Sequence, residues 1–207
     1  MGNQTTRIEV WYVSMQLTKT PQALTSGGQA ITQFSFGAGW DVSGGGQKGL
    51  MGKLNRLKGV DLDVSVVVFD ASGQPFGNCH YDNARLFGGA ITHTGDNRTG
   101  KGEGIDEEVM VDLPRLPDEA ATLVCVLSSY KGATFAKVNN AECVVTDRSG
   151  GKNEQFGHLY LPINPSYTAV VLAKAVRTGS GWAIAEVRSF GNARNSQDVI
   201  RLASQNL

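Results

Sequence analysis

The sequence predicts a mainly antiparallel β-sandwich with a few short helices. Its 207 residues include 26 glycines but only 6 prolines, so glycine supplies most of the turns. Between these turns lie segments rich in Val, Ile, Thr and aromatic residues, and no regular alternation with helical patterns separates them. About nine strands are expected, in residues 7–17, 30–40, 62–70, 107–113, 121–130, 140–147, 158–163, 168–177 and 181–190.

The net charge and the length of the apolar runs argue against two classes of protein, nucleic-acid binders and membrane-spanning proteins. The 19 Lys and Arg residues balance the 19 Asp and Glu residues, so the formal net charge is zero and nucleic-acid binding is not expected. The longest apolar runs, 64–69 and 169–173, are far shorter than the roughly 18–20 residues that cross a bilayer. The N-terminus does not resemble a secretory signal. We therefore expect a single cytoplasmic domain over residues 1–207, without a transmembrane segment.

The three cysteines, Cys79, Cys125 and Cys143, are odd in number and far apart. This spacing argues against both a disulfide framework and a paired cysteine metal site. Cys125 and Cys143 lie in strand-like runs, where cysteine usually behaves as a small apolar residue. We expect reduced thiols with a structural role.

The C-terminal segment, residues 195–207, has a helical pattern. Ser196 can act as the N-cap, because serine is among the residues that favour this position. Val199, Leu202 and Ala203 then fall on one face of the helix. This face is expected to pack on the domain.

A second helical pattern covers residues 50–58. Leucine recurs there at helical spacing, and Lys and Arg occupy the other side. Such a basic amphipathic helix either packs on its own domain or docks on a membrane surface or a partner. Gly49 and Gly52 weaken the helical pattern.

The segment of residues 93–109 combines carboxylates with glycines. Five carboxylates fall within thirteen positions, at Asp96, Glu103, Asp106, Glu107 and Glu108. Glycine lets a backbone turn its carbonyls inward, and calcium needs about six to eight oxygen ligands. The segment is not an EF-hand, because Arg98, Gly100 and Lys101 stand at key positions of that motif. The spacing alone fits both a calcium loop and a solvated acidic hairpin loop.

A second acidic pair, Asp61 and Asp63, stands at the start of a strong strand pattern. Strand alternation places both residues on the same face, away from Leu62 and Val64. Two neighbouring carboxylates repel each other unless positive charge lies between them, and a cation would supply it. The alternative is a pair of strand-capping aspartates that face water.

Four blocks of sequence occur in a recognisable order: GWD at 39–41, DLDVSVVVFD at 61–70, HTGDNRTGKGEGIDEEVMVDLPRLP at 93–117 and NAECVVTD at 140–147. Together they resemble the TerD family of tellurium-resistance and bacterial stress proteins. The resemblance extends over a core of about residues 13–202. It implies a cytoplasmic, calcium-binding β-sandwich associated with resistance to tellurite, phages and colicins and with general stress. The implied metal ligands are Asp61, Asp63, Asp96, Asn97, Thr99, Glu103, Asp106 and Glu107.

The chain departs from the family pattern at two loop positions and in one insertion. Lys101 stands where the family usually has glutamate, and Ile105 stands where it usually has aspartate. Fewer anionic ligands predict weaker calcium binding, or one ion where relatives hold two. The Gly/Lys-rich segment 44–59 is longer than expected between its flanking blocks, and we interpret it as an insertion that forms a contact surface.

These patterns predict a non-enzymatic, calcium-binding stress and tellurite-resistance protein that acts through contacts with other proteins. No phosphate-binding or nucleophile motif supports an enzyme, and His80, His93 and His158 lack zinc-site spacing. The alternative is a calcium-independent scaffold or assembly subunit that uses residues 48–58 and exposed sheet edges. The expected partners are other stress or tellurium-resistance proteins. A membrane-protein partner and a homo-oligomer stay open.

Overall fold

The computed structural model describes residues 15–42, 61–95, 105–129, 132–161 and 166–207. Fifteen strands and one α-helix form within these residues. The strands are β1 (Met15–Gln16), β2 (Gln22–Ala23), β3 (Thr25–Ser26), β4 (Gln29–Ala30), β5 (Gln33–Val42), β6 (Asp63–Phe69), β7 (Pro75–Cys79), β8 (Arg85–Leu86), β9 (Ile91–His93), β10 (Glu107–Asp112), β11 (Thr122–Ser128), β12 (Val138–Asp147), β13 (Glu154–Leu161), β14 (Ala169–Thr178) and β15 (Gly181–Gly191). The helix is α1 (Ser196–Ser204).

Two large sheets share one apolar core. Within the described residues, one sheet has the order β1-β13-β12-β5-β10-β9-β8 and the other has the order β2-β15-β14-β11-β6-β7. Strands β3 and β4 form a separate hairpin. The pairings are antiparallel, apart from the short parallel pairing of β1 with β13. The predicted antiparallel β-sandwich is thereby confirmed.

The long strands occur where the sequence predicts them. Each predicted segment from residue 30 onward overlaps one long strand, namely β5, β6 and β10 to β15, although β13 begins four residues before its predicted segment. Of the first predicted segment, 7–17, the described residues contain only β1 and Leu17. The structure adds short strands that the pattern does not predict, namely β2 to β4 and β7 to β9. Strand β7 reads PFGNC, a sequence typical of turns, yet it pairs with β6 from Val66 to Phe69.

The core lies between the two sheets and follows the alternation of each strand. Strand β10 buries every second residue and leaves the others half-buried. Phe34 and Phe36 of β5 are fully buried, with their rings edge to face at a centroid distance of 5.1 Å. Burying each such side chain stabilises the fold by about 1.5–3 kcal/mol. Strand β6 differs, since all of its residues are buried, which requires cover on both of its faces.

Helix α1 provides that second cover. Val199, Leu202 and Ala203 are buried, as the sequence predicts, and they pack in one cluster with Val67 and Phe69 of β6. The apolar face of α1 therefore closes the outer side of the six-stranded sheet.

The N-cap of α1 is Asn195, so the prediction of Ser196 as the cap is wrong. The Asn195 side-chain oxygen accepts the backbone N–H of Asp198 at 2.9 Å. The Ser196 hydroxyl accepts a hydrogen bond from the Asn78 side-chain amide at 2.8 Å. Ser196 therefore ties the helix to β7, and the preceding asparagine satisfies the free N–H group of the first turn.

All three cysteines are buried and free, in agreement with the predicted structural role. Burial raises the pKa of Cys79 to about 11, although a backbone hydrogen bond at His93 opposes the shift. Burial also raises the pKa of Cys125 well above its usual value, and the neighbouring Cys143 raises it further. Thiols with such pKa values stay protonated and unreactive at neutral pH.

Two sequence predictions lie outside the described residues. These are the basic helix at 50–58 and the insertion at 44–59. In the parts of the chain that the structure describes, we find no helix of the length and apolar character needed to cross a membrane.

The cap of α1 can be tested by substitution. Asn195→Ala removes the acceptor for the Asp198 N–H, so we expect a loss of about 1 kcal/mol in unfolding free energy. This loss corresponds to a melting temperature lower by roughly 2–4 °C. Asn195→Asp keeps a side-chain oxygen acceptor at the cap and should melt close to the wild type. Equal melting temperatures of Asn195→Ala and the wild type would contradict the assignment of Asn195 as the cap.

Candidate functional site

Glu107, the first residue of β10, links the two sheets at one end of the sandwich. Its side chain points inward and the residue is only 1% exposed. Its Oε2 atom accepts the backbone N–H of Val64 at 3.0 Å, and Val64 belongs to β6 in the other sheet. A buried carboxylate requires such partners, because its charge has lost the solvation of water.

His93 is the second partner of Glu107. The His93 Nε2 atom lies 3.4 Å from Glu107 Oε2, and both side chains are fully buried. The His93 Nδ1 atom accepts the Gly95 N–H at 3.2 Å, which leaves Nε2 facing the carboxylate. Sequence reasoning considered His93 only as a zinc ligand. The sequence did contain a signal for its position. His93 lies two residues after Ile91, and strand alternation therefore places it inward, next to the acidic segment.

Asp106 joins the start of β10 to the end of β5. Its Oδ2 atom accepts the backbone N–H of Trp40 at 2.9 Å, and its own N–H donates to the Ala38 carbonyl at 2.9 Å. The residue is half-buried. These two hydrogen bonds hold the Asp106 carboxylate at the same end of the sandwich as Glu107.

The strand pair Asp61 and Asp63 lies at this end as well. Asp63 is the first residue of β6 and only 2% exposed, while Asp61 is half-buried. The alternative of two water-facing aspartates is therefore excluded for Asp63. The hydrogen bond from Val64 to Glu107 places the backbone of this strand pair next to Glu107, while strand alternation puts the Asp63 side chain on the face of β6 opposite to that of Val64.

The other four predicted ligands, Asp96, Asn97, Thr99 and Glu103, lie outside the described residues. The residues that flank them belong to the two strands β9 and β10 or lie next to them. The Thr94 N–H donates to the Glu108 carbonyl at 2.9 Å, and His93 pairs with Val109 in the antiparallel ladder of β9 and β10. The segment therefore leaves and re-enters the fold at the end that holds Glu107. Among the residues that the structure describes, no three His, Cys, Asp or Glu side chains are arranged to hold a metal ion.

Ile105 packs on the sheet. In the family that the sequence resembles, this position is usually aspartate. A Cβ atom placed on Gly37 of β5 would lie 2.8 Å from Ile105 Cγ2, so the two residues are in close contact. The Ile105 side chain is still 40% exposed. The Ile105 side chain supplies an apolar contact and no oxygen ligand.

Glu108, the neighbour of Glu107, belongs to the outer face of the sheet. Its Oε1 atom accepts a hydrogen bond from the Ser35 hydroxyl at 2.5 Å and forms an ion pair with Arg148. The strand alternation thus separates two adjacent glutamates, one at the site and one in an external ion pair.

Comparison with known proteins gives a consistent result. The model of the TerD domain matches residues 13–199 of this chain. The tellurium resistance protein TerZ of Serratia marcescens is 33% identical over 161 residues, which cover 77% of this chain and 81% of that protein. The stress response protein SCP2 of Bacillus subtilis is 32% identical over 187 residues, covering 86% and 92%. The crystal structure of a TerD homologue from Streptomyces coelicolor has a similar fold, with a TM-score of 0.63 at 20% identity, covering 82% and 98% of the two chains.

The link between the sheets can be tested in the presence of a chelator, where metal binding does not contribute. Glu107→Ala leaves the buried Val64 N–H without its acceptor and opens a cavity, so we expect a loss of about 2–4 kcal/mol in unfolding free energy. Glu107→Gln keeps a side-chain oxygen for Val64 and should lose less. Urea unfolding measures both. An Ala variant as stable as the Gln variant would show that the hydrogen bond does not hold the sheets together.

Proposed function

The chain belongs to the TerD domain family, and from that premise we propose that it is a calcium-binding protein of the stress and tellurium-resistance response. It acts in the cytoplasm, without catalysis of its own, through contacts with other proteins. The similar proteins named above carry tellurium resistance and stress response in their names, which supports the general role.

The observation that carries the calcium proposal is the convergence of two acidic segments at one end of the sandwich. Glu107 accepts the N–H of Val64, the residue after Asp63, and Asp106 is anchored beside it on Trp40. The described residues on either side of 96–104, such as Thr94 and Asp106, are hydrogen-bonded at the same end. Carboxylate and amide oxygens are the hard donors that calcium prefers.

Electrostatics supplies the reason for a cation at this place. Asp63, Asp106 and Glu107 bring acidic residues to one end of the sandwich, where like charges repel one another. A divalent cation converts this repulsion into attraction. Calcium bound there would hold residues 96–108 in one arrangement, and we propose that a partner protein recognises this arrangement.

A second candidate function is that of a calcium-independent scaffold or assembly subunit. The contact between Ile105 and Gly37 supports it, because this packing replaces a ligand position by an apolar contact. In this case residues 48–58 and the sheet edges would make the contacts with other subunits. Both candidate functions have the same proposed partners. These are other stress or tellurium-resistance proteins, including a membrane protein or further copies of this chain.

A calcium titration separates the two candidates. We expect chelator-treated protein to bind calcium with a dissociation constant of about 1–100 µM in calorimetry. Binding to the folded state alone should then raise the melting temperature by roughly 5–10 °C at saturating calcium. Neither heat nor a melting shift at millimolar calcium would reject the calcium-binding function and favour the scaffold.

Two matched variants, one near each end of β10, test the proposed location of the calcium site. Asp106→Asn removes a charge from the site but keeps an oxygen that can accept the Trp40 N–H, so it should weaken calcium binding at least about tenfold. Asp112→Asn removes the same charge at the far end of β10, where Asp112 accepts a hydrogen bond from Gln33 at 2.9 Å. This control should bind calcium like the wild type. Equal affinities of the two variants would refute the proposed location.

A further inference from the structure

A cavity of about 420 Å³ lies at the other end of the sandwich. It opens between the hairpin of β3 and β4, the turn that joins β14 to β15, and the residues that follow β10. The seven residues of β6 span roughly 20 Å, so this cavity is far from Glu107 and Asp63. Its volume is in the range of small-molecule sites, about 300–1,000 Å³.

The inner wall of the cavity is apolar and firmly held. Leu24, Ile31 and Trp182 line it and are at most 8% exposed. The Leu24 N–H donates to the Trp182 carbonyl at 2.8 Å, and the Ile31 N–H donates to the Leu24 carbonyl at 2.9 Å. These bonds fix the hairpin against the edge of the six-stranded sheet. Three hydroxyl groups, those of Thr25, Thr32 and Ser180, add polar atoms to the lining.

Arg177 stands at the mouth of this cavity in a fixed position. Its Nε–H donates to the Ala120 carbonyl at 2.7 Å, and Nη2 donates to the Pro117 carbonyl at 3.1 Å. Its guanidinium lies over the Trp182 ring, 4.9 Å from the ring centroid. These contacts hold the guanidinium in place before any ligand binds.

In the described ranges, the hydrogen-bond and ring partners of the Arg177 guanidinium are uncharged. Two carbonyl oxygens use two of its five N–H donors, and the residue is exposed at the cavity mouth. Within the described ranges, no carboxylate forms an ion pair with Arg177. The site therefore offers a positioned cation with free donors beside an apolar cavity.

We propose that this cavity binds a small carboxylate that carries an apolar chain. The chain would pack against Leu24, Ile31 and Trp182, and the carboxylate would accept hydrogen bonds from Arg177. The planar guanidinium matches carboxylate geometry, and such charge-assisted hydrogen bonds are about twice as strong as neutral ones. Binding at this site goes beyond the proposed calcium function and needs no calcium.

Octanoate is the probe for the first experiment. It is titrated up to about 10 mM into the full chain in chelator and, separately, in calcium, and the indole and amide signals are followed by NMR. We expect saturable shifts at Trp182 and at the Ile31 amide, with a dissociation constant of about 0.1–1 mM in both conditions. Octanol, which has the same chain without the charge, should bind at least about tenfold more weakly. Absence of saturable shifts for octanoate, or equal binding of octanol, would overturn the proposal.

Three variants test the residues. Arg177→Gln should weaken octanoate binding at least about tenfold, because it removes the charge. Ala30→Phe fills the cavity from the exposed hairpin and leaves Arg177 intact, so it should also abolish binding. Arg201→Gln removes the same charge from α1, where Arg201 pairs with Asp198, and should bind like the wild type. Wild-type affinity in either cavity variant, with melting temperatures confirming that each is folded, would overturn the assignment.

Discussion

The hydrogen bond from the Val64 N–H to Glu107 crosses from one sheet to the other at one end of the sandwich. A carboxylate that is 1% exposed must keep such partners, because an unpaired buried charge would destabilise the fold by several kcal/mol. The His93 ring of β9 lies 3.4 Å from the same oxygen. The positions of Asp63 and Asp106, and with them the candidate calcium site, depend on this connection.

The two ends of the sandwich differ in chemistry because the inward-facing residues of β10 change from acidic to apolar along the strand. They begin with Glu107, continue through Val109 and Val111, and reach Leu113 just after the strand. The acidic end carries carboxylates, whereas the opposite end has apolar residues beside Arg177. The two proposed ligands, a cation and a carboxylate, would therefore bind at opposite ends of the domain.

The outer faces of the two sheets are covered in different ways. The apolar face of α1 covers the six-stranded sheet, which explains why β6 is buried on both sides. On the seven-stranded sheet, Glu108 pairs with Arg148, and Glu142 lies 2.8 Å from the His158 ring. The carboxylates on this outer face therefore already have partners within the fold. A shift of one residue in register would exchange Glu107 and Glu108, so strand register decides which glutamate lies at the site.

Sequence alone determined the long strands, the buried face of α1, the structural role of the cysteines and the family, because these properties depend on local periodicity or on the order of motifs. It did not determine the short strands such as β7, whose residues favour turns and which form only because β6 supplies a partner. The choice of Asn195 over Ser196 as the cap required the backbone geometry, since both residue types are good caps. Tertiary structure alone decided that Glu107 meets Val64, 43 positions away, and that Arg177 faces a cavity. Such contacts arise from the packing of one sheet on the other, and no local pattern records which distant residues this packing brings together.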